Sequence, residues 1–174
     1  HNGCIPSKTW LQSAKLFAHV QNGAVYGVKA DGLHFDQQVV TARKNKVVRI
    51  LSAGVKTKLQ NANVEVVTAK GEIQGKDEDG FRIKAGADNY KGKNLLLATG
   101  SVPVIPPIPG LKEGLAAGTV KTNAEIFDLN HLPASLVVIG GGVIGLEMAA
   151  YFSAAGSKVT VIELLDRIGG EIDR

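Results

Sequence analysis

The chain has 174 residues, which is enough for one domain or for parts of two. Hydrophobic residues make up 44% and charged residues 21%, a balance that is typical of a soluble globular protein and excludes an intrinsically disordered chain. The formal charge of +4 does not by itself indicate nucleic acid, and no apolar run reaches the roughly 20 residues that span a bilayer. We therefore expect neither nucleic acid nor a membrane as a partner.

The first predicted element is a helix that follows Cys4-Ile5-Pro6-Ser7-Lys8 and ends near Gly23 and Gly27. Its apolar residues share one face: Leu11, Ala14, Phe17 and Ala18. Cys4 is the single cysteine, which excludes an internal disulfide and fits a reducing compartment. A helix N-terminus stabilises a thiolate, and Lys8 adds positive charge one turn further on. A buried, inert thiol is the alternative interpretation.

The second predicted element is an amphipathic helix from Asp36, which can serve as its N-cap, to about Asn61. Its apolar residues recur near helical spacing at Val40, Val47, Leu51, Val55 and Leu59. This spacing leaves the cations of the segment on the opposite, solvent-exposed face: Arg43, Lys44, Lys46, Arg49, Lys56 and Lys58. Because no aromatic or zinc pattern accompanies these cations, we interpret them as a solvated face rather than a nucleic-acid site.

Short β-rich stretches follow the second helix. Val64–Thr68 and Phe81–Lys84 lie on either side of a turn at 76–80 and predict a small antiparallel insertion. Leu95–Ala98 is a continuous apolar run that ends in Thr99-Gly100-Ser101, which predicts a strand buried on both faces with a cofactor at its end. The prolines between residues 103 and 109 exclude a helix or a central strand there and indicate a linker.

The last part of the chain predicts one βαβ unit, with strands at Leu136–Ile139 and Lys158–Glu163 and a helix at Leu146–Ala155 between them. The loop after the first strand carries the pattern G-x-G-x-x-G at Gly140, Gly142 and Gly145. In this pattern the first glycine permits the turn, the second lets a pyrophosphate approach the backbone, and the third lets helix and strand pack closely. The loop therefore predicts a dinucleotide site.

The acidic residue Glu163 ends the second predicted strand, roughly 20 residues after the glycine loop begins. A carboxylate at this place accepts hydrogen bonds from a ribose 2′-hydroxyl and repels a 2′-phosphate, so the sequence favours NAD. Lys158 and Arg167 lie nearby and leave NADP open.

Taken together, these motifs resemble the pyridine nucleotide-disulfide oxidoreductase family. Gly3-Cys4-Ile5-Pro6-Ser7-Lys8 resembles the second half of the family's redox-active disulfide motif, whose first cysteine would lie two positions before His1. The remaining signals keep the family's order: Gly71, Ala98–Ser101, the proline linker and Gly140–Glu147. Ile-Pro-Ser-Lys is most similar to dihydrolipoamide dehydrogenases, whereas glutathione and trypanothione reductases tend to carry Val-Pro-Lys-Lys and mercuric reductases Val-Pro-Ser-Lys. His1-Asn2 departs from the Asn-Val of many members.

The resemblance implies an α/β fold of the FAD/NAD(P)-binding Rossmann-like, three-layer type with a small antiparallel β insertion. Residues 1–120 would be a partial FAD-binding domain, and residues 121–174 would begin the NAD-binding domain. Because the sequence starts without methionine and stops soon after the glycine loop, we expect it to be truncated at both ends. The first FAD-binding glycine loop, the partner cysteine and an interface domain with a catalytic histidine would lie outside it, so we expect this piece alone to be inactive.

The resemblance also implies roles for particular residues. Cys4 would be the sulfur nearer the flavin, and Lys8 would lie at the reactive edge of the flavin, paired with Glu147. The residues that bind FAD would include Lys8, Gly71, Ala98, Thr99 and Gly100. The remaining cofactor-binding residues would be Gly140, Gly141, Gly142, Val143, Ile144, Gly145, Glu147 and Glu163, of which the glycine loop and Glu163 would bind NAD. No metal site is predicted, and His19, His34 and His131 are interpreted as surface or packing residues.

The implied reaction oxidises a protein-bound dihydrolipoyl group and passes two electrons through FAD to NAD⁺. The implied partner is a lipoyl-bearing protein of a 2-oxoacid dehydrogenase or glycine cleavage complex, and the full-length protein would be a homodimer in the cytoplasm, or in the mitochondrial matrix of a eukaryote. Two alternatives stay open. One is another disulfide reductase of the mercuric or glutathione reductase kind, and the other is a non-catalytic dinucleotide-binding remnant with a structural thiol.

Overall fold

The computed structural model describes residues 2–170, which form two compact units. The first unit comprises residues up to Ser52 and from Pro103 onward, and the second comprises Ala53–Val102. The helices are α1 (Cys4–Gln21), α2 (Gln37–Asn61), α3 (Leu111–Ala116) and α4 (Val143–Ala155), with short 3₁₀ turns at Gly23–Tyr26 and Glu125–Asp128. The strands are β1 (Gly71–Asp77), β2 (Gly80–Ala85), β3 (Asp88–Gly92), β4 (Ser135–Ile139) and β5 (Lys158–Ile162).

The two long helices lie where the sequence predicts, except that α1 begins at Cys4, within the segment that was expected to precede it. Pro6 is tolerated in the first turn of α1, where a backbone N–H has no helical acceptor. After the helix, Gly27 takes the left-handed φ of 78° that ends the following turn. Asp36 caps α2, since its Oδ1 accepts the backbone N–H of Val39 at 3.0 Å. Both helix predictions are confirmed.

The predicted apolar face of α2 is wrong in part. Val40 is buried, but Leu51 and Val55 are about half exposed, at 46% and 55%. Lys44, which was expected on the solvent-exposed face, is buried, and its Nζ lies 3.3 Å from Oδ1 of Asp128. The helix packs instead through its N-terminal half, along Gln37, Val40, Thr41 and Lys44. Both stripes have helical spacing, and the contacts of Gln37, Thr41 and Lys44 with residues 128–129 show which one is buried.

The core of the first unit is aromatic. Trp10 of α1 stacks on Tyr151 of α4, with ring centroids 4.5 Å apart and an interplanar angle of 23°. Phe127 and Phe152 meet the Trp10 ring edge-on at 5.2 and 5.9 Å, an arrangement that aromatic quadrupoles favour. Trp10, Tyr151 and Phe152 are completely buried. This cluster joins the helix that begins at Cys4 to the helix that follows the glycine loop.

The second unit contains the predicted antiparallel insertion. β2 pairs with β1 and β3 in the order β1-β2-β3, and a bulge between Ile73 and Gly75 interrupts the first ladder. The predicted strands at Val64–Thr68 and Leu95–Ala98 are wrong, because both segments are irregular here and Leu96 is 88% exposed. A strand needs a neighbour to satisfy its backbone, and no strand within residues 2–170 pairs with either segment.

The βαβ unit is confirmed. β4 and β5 are parallel, with Ser135 opposite Lys158 and Ile139 opposite Ile162, and α4 connects them. The helix begins at Val143, three residues before the predicted start. The strands are not fully buried, as Val137 and Ile139 are more than half exposed. These elements confirm the α/β class, while the domain boundary near residue 120 stays a prediction.

Candidate functional site

The glycine loop between β4 and α4 has a shape that side chains would destroy. Gly140 has a φ of 106°, which L-residues rarely adopt. A Cβ on Gly145 would lie 2.0 Å from the carbonyl oxygen of Gly140, so the third glycine is what lets the helix start against the strand. A Cβ on Gly142, in contrast, would meet nothing within 4 Å. The second glycine therefore borders open space at the start of α4.

This open space suits an anion. Gly142 precedes the first helical residue, Val143, and no side chain caps the helix there. The first N–H groups of a helix have no intrahelical acceptor, and the helix dipole places partial positive charge at this end. Gly142, Val143, Ile144 and Gly145 form this first turn, so the residues present fit the pyrophosphate of a dinucleotide.

Glu163 lies directly beside the glycine loop. Its Oε2 accepts the backbone N–H of Gly141 at 2.6 Å, and its Oε1 accepts that of Leu165 at 2.9 Å. These backbone hydrogen bonds hold the pKa of Glu163 below its usual 4.5. The carboxylate is thus ionised at neutral pH, and each oxygen keeps a second lone pair for another donor.

The cysteine lies on the helix that packs against α4. Cys4 is the first residue of α1 and is exposed, so the alternative of a buried thiol is wrong. The thiol borders an open groove of about 410 Å³ between α1 and α2. The groove is lined by Cys4, Ile5, Lys8, Thr9, Gln12, Arg43, Val47 and Leu51. A reactive group on a substrate or cofactor can therefore reach the sulfur.

Lys8 and Glu147 form an ion pair between α1 and α4. The Nζ of Lys8 donates to Oε1 of Glu147, although the two residues are far apart in the sequence. This hydrogen bond, more than any other effect, raises the pKa of Lys8 above its usual value. The Lys8 side chain remains 62% exposed, so its ammonium group can contact a ligand while it stays paired. The structure thus brings together two residues that the sequence analysis paired through the resemblance alone.

Arg43 belongs to the groove, although the sequence analysis assigned it to a solvated face. Its Nη1 donates to the carbonyl oxygen of Thr9 at 3.3 Å and so bridges α2 and α1 beside Cys4. Arg43, Val47 and Leu51 recur every four residues, which places them on one face of α2. The four-residue spacing of these residues can be seen in the sequence. Spacing alone, however, does not show which other helix they face.

The other predicted cofactor residues lie in the second unit. Gly71 begins β1 opposite Ala85, and Gly100 adopts a left-handed φ of 78°. Ala98, Thr99 and Gly100 are all exposed and belong to an irregular segment. Their assignment to FAD stays a prediction. His19, His34 and His131 are exposed, as expected of surface residues.

Residues 2–170 contain neither a metal-binding cluster nor a membrane-spanning helix. No group of three or more His, Cys, Asp or Glu side chains is arranged to hold a metal ion. No helix in the same range has the length and apolar character needed to cross a bilayer.

The sequence matches the pyridine nucleotide-disulphide oxidoreductase family over residues 1–174. The chain belongs to this family. It is 41% identical over 169 residues to dihydrolipoyl dehydrogenase from Acholeplasma laidlawii, and the match covers 97% of this chain and 49% of the relative. It is 35% identical to the dihydrolipoyl dehydrogenase of Bacillus subtilis, with coverage of 97% and 36%. The chain therefore spans about half or less of the length of the curated relatives it matches.

Solved structures of disulfide oxidoreductases have the same fold. The flavoprotein disulfide reductase RclA from Escherichia coli superimposes with a TM-score of 0.76 at 28% identity, over 99% of this chain and 34% of that one. The predicted pyridine nucleotide-disulfide oxidoreductase family is confirmed. The relatives themselves are named as dihydrolipoyl dehydrogenases and flavoprotein disulfide reductases.

Proposed function

We propose that this chain is part of a dihydrolipoyl dehydrogenase, which oxidises a protein-bound dihydrolipoyl group with FAD and NAD⁺ as cofactors. The observation that carries the proposal is the Lys8–Glu147 ion pair. It links the helix that begins at the exposed thiol to the helix that begins at the dinucleotide loop. In this reaction electrons pass from a thiol to a nicotinamide nucleotide. The ion pair lies between the helix that carries the thiol and the helix that follows the dinucleotide loop.

In the proposed first step, Cys4 is one half of a disulfide with a second cysteine upstream. A thiolate of the dihydrolipoyl group attacks the upstream sulfur, the S–S bond breaks, and the sulfur of Cys4 keeps the electron pair as a thiolate. The second substrate thiolate then displaces the upstream cysteine and closes the lipoyl disulfide. Two electrons have thereby moved from the substrate to the cysteine pair. The exposed position of Cys4 at the start of α1 suits a sulfur that carries this charge.

When bound, FAD supplies the two-electron transfer from the cysteine pair to NAD⁺, which regenerates the disulfide. Lys8 contributes a positive charge at the groove beside Cys4. The Lys8 ammonium group is protonated at neutral pH, the hydrogen bond to Glu147 raises its pKa further, and Glu147 orients it. A fixed cation there stabilises negative charge that develops on a neighbouring group. The net reaction converts a dihydrolipoyl group and NAD⁺ into a lipoyl group, NADH and a proton.

The nucleotide is proposed to be NAD rather than NADP. The pyrophosphate would bind at the first turn of α4, beside Gly142, where the backbone is uncapped. Glu163 would accept a hydrogen bond from a ribose hydroxyl with the lone pairs that Gly141 and Leu165 leave free. Glu163 is ionised at pH 7, its pKa being lowered further by the backbone hydrogen bonds, and its negative charge would repel a 2′-phosphate.

The decisive experiment assays the full-length protein with dihydrolipoamide and NAD⁺. We expect NADH formation and a yellow, flavin-containing preparation. A Cys4→Ser variant should lose dihydrolipoamide oxidation yet still bind NAD⁺, because the glycine loop is untouched. A protein that purifies without flavin, refuses added FAD and leaves NAD⁺ unreduced would refute the proposal and favour the non-catalytic remnant.

A second candidate is another flavin-dependent disulfide reductase, which the similarity to RclA favours. The same protein would then reduce oxidised glutathione or mercuric ion with NADPH and would not oxidise dihydrolipoamide. Side-by-side rates with the three substrates and both nucleotides separate the two functions.

The partner would be a lipoyl-bearing protein of a 2-oxoacid dehydrogenase or glycine cleavage complex. The full-length protein would be a homodimer in the cytoplasm, or in the mitochondrial matrix if the source is eukaryotic. Size-exclusion chromatography with light scattering tests the dimer. Co-purification with a lipoylated protein, and its loss when the lipoyl lysine is replaced, tests the partner.

A further inference from the structure

The Lys8–Glu147 ion pair is too exposed to determine its own geometry. The side chain of Lys8 is 62% exposed and that of Glu147 is 23% exposed. Exposed ion pairs contribute little net stability, because solvent screens the charges and two long side chains lose rotational freedom. Some other contact must therefore hold α1 and α4 where the two charged groups meet.

That contact is the buried aromatic stack. Trp10 lies two residues after Lys8, and Tyr151 lies one helical turn after Glu147 on the same face of α4. Both rings are completely buried and stack at 4.5 Å. Because both residues lie on one face of α4, the contacts that fix the rotation of this helix at Tyr151 also fix the direction in which the Glu147 side chain points.

Tyr151 is in turn fixed by hydrogen bonds to a third helix. Its hydroxyl donates to Oε1 of Gln37 at 2.5 Å. Nε2 of Gln37 donates to Oγ1 of Thr41 and to the carbonyl oxygen of Leu129, both at 3.2 Å, and the Thr41 hydroxyl donates to the same carbonyl at 2.7 Å. Burial also raises the pKa of Tyr151, so the hydroxyl stays a proton donor at neutral pH. The ring can neither turn nor slide without breaking this network.

We infer that Tyr151, held by Gln37 and stacked on Trp10, is a positioning residue that sets where the Lys8 ammonium group lies relative to the flavin. Tyr151 acts through Glu147 and does not touch the reacting atoms. The inference rests on the proposed function, because it assumes that Lys8 acts on a bound flavin.

The test is a double-mutant cycle in the full-length, flavin-loaded protein. Tyr151→Leu removes the ring stack and the hydroxyl, and Tyr151→Phe removes the hydroxyl alone. Each is combined with Glu147→Gln, which removes the charge that orients Lys8. Phe17→Leu is the matched control, since Phe17 is another aromatic residue of α1 whose ring packs on Phe35, which in turn packs on Tyr151. The readouts are the equilibrium constant for flavin reduction against a reference dye, and the thermal midpoint.

We expect Tyr151→Leu to change the equilibrium constant about twofold or more with Glu147 present, and clearly less in the Glu147→Gln background. Phe17→Leu should lower the thermal midpoint without moving the equilibrium constant. Should Tyr151→Leu fail to fold, Tyr151→Phe decides, with the same dependence on Glu147 expected.

The inference would be overturned if Tyr151→Leu changed the equilibrium constant equally in both backgrounds or not at all. It would also be overturned if Phe17→Leu caused the same change. The emission of Trp10, the only tryptophan, reports directly whether the stack has changed in each variant. A protein that binds flavin but lacks the coupling contradicts this inference alone. A protein that binds no flavin contradicts the proposed function as well.

Discussion

The two compact units, each taken by itself, are stabilised in different ways. The first buries large aromatic side chains, with Trp10, Tyr151 and Phe152 fully removed from solvent. In the second, within residues 53–102, only Gly80 is buried, and the three strands are joined by backbone ladders and by surface ion pairs around Asp77 and Lys91. Burial of apolar area contributes far more free energy than exposed ion pairs do. Substitutions in the first unit should therefore have the larger effects.

The largest effect is expected from Trp10→Ala. The substitution leaves a cavity between Tyr151, Phe127 and Phe152 and should lower the free energy of unfolding by about 3–5 kcal/mol. Denaturant unfolding followed by circular dichroism measures the loss. Trp10→Phe, which keeps an aromatic ring, should lose clearly less. A loss below about 1 kcal/mol for Trp10→Ala would show that this cluster is not the main source of stability.

The next effect is expected at the glycine loop. Gly145→Ala places a methyl group against the carbonyl oxygen of Gly140 and should weaken NAD⁺ binding about tenfold or more, because the start of α4 must shift. Gly142→Ala is the matched control. Its methyl group meets open space, so the thermal midpoint should stay unchanged. Binding of NAD⁺ should still weaken, because the methyl group occupies space where the pyrophosphate would bind. Thermal scans separate the two variants, since only Gly145→Ala should lower the thermal midpoint, and titration calorimetry measures their affinity for NAD⁺. An affinity equal to that of the wild type in either variant would contradict the role assigned to that glycine.

A smaller and more selective effect is expected from Glu163→Gln. The amide keeps the size of the side chain but removes the charge, so the preference for NAD⁺ over NADP⁺ should fall about tenfold. The thermal midpoint should change little, since the amide oxygen can still accept one backbone N–H. Binding of the two nucleotides to wild type and variant measures the ratio. An unchanged ratio would exclude Glu163 as the residue that selects the ribose.

The smallest effect is expected in the second unit, from Asp77→Asn. Burial raises the pKa of Asp77, but the backbone hydrogen bond from Asp79 and the charges of Lys91 and Arg82 outweigh it, and the net pKa is lowered. A lowered folded-state pKa means that the stabilisation is present above the unfolded-state pKa and is lost as the pH falls through the folded-state value. The variant should therefore exchange the amides of β1–β3 slightly faster at pH 7 and equally fast near pH 2. A difference that persists at low pH would contradict the assignment.

Features that depend on residues close together in the sequence could be predicted, whereas features that depend on distant residues could not. The cap at Asp36 and the glycine loop depend on residues a few positions apart, and both are confirmed. The first helix is also present, although it starts at Cys4, a few residues before the expected position. The strands predicted at 64–68 and 95–98 depend on partners elsewhere, and an apolar run alone does not provide a ladder. The residues that the analysis missed, such as Arg43 and Tyr151, have ordinary local surroundings in the sequence.

By itself, the sequence determined the α/β class, the family, the positions of the main helices and the dinucleotide loop, because backbone propensities and glycine stereochemistry act locally. Only the tertiary structure decided which stripe of α2 is buried, that Lys44 leaves the solvent, and that Tyr151 is anchored to Gln37. Helical periodicity permits several faces to be buried. The choice among them is made by the side chains of distant segments that fill the space.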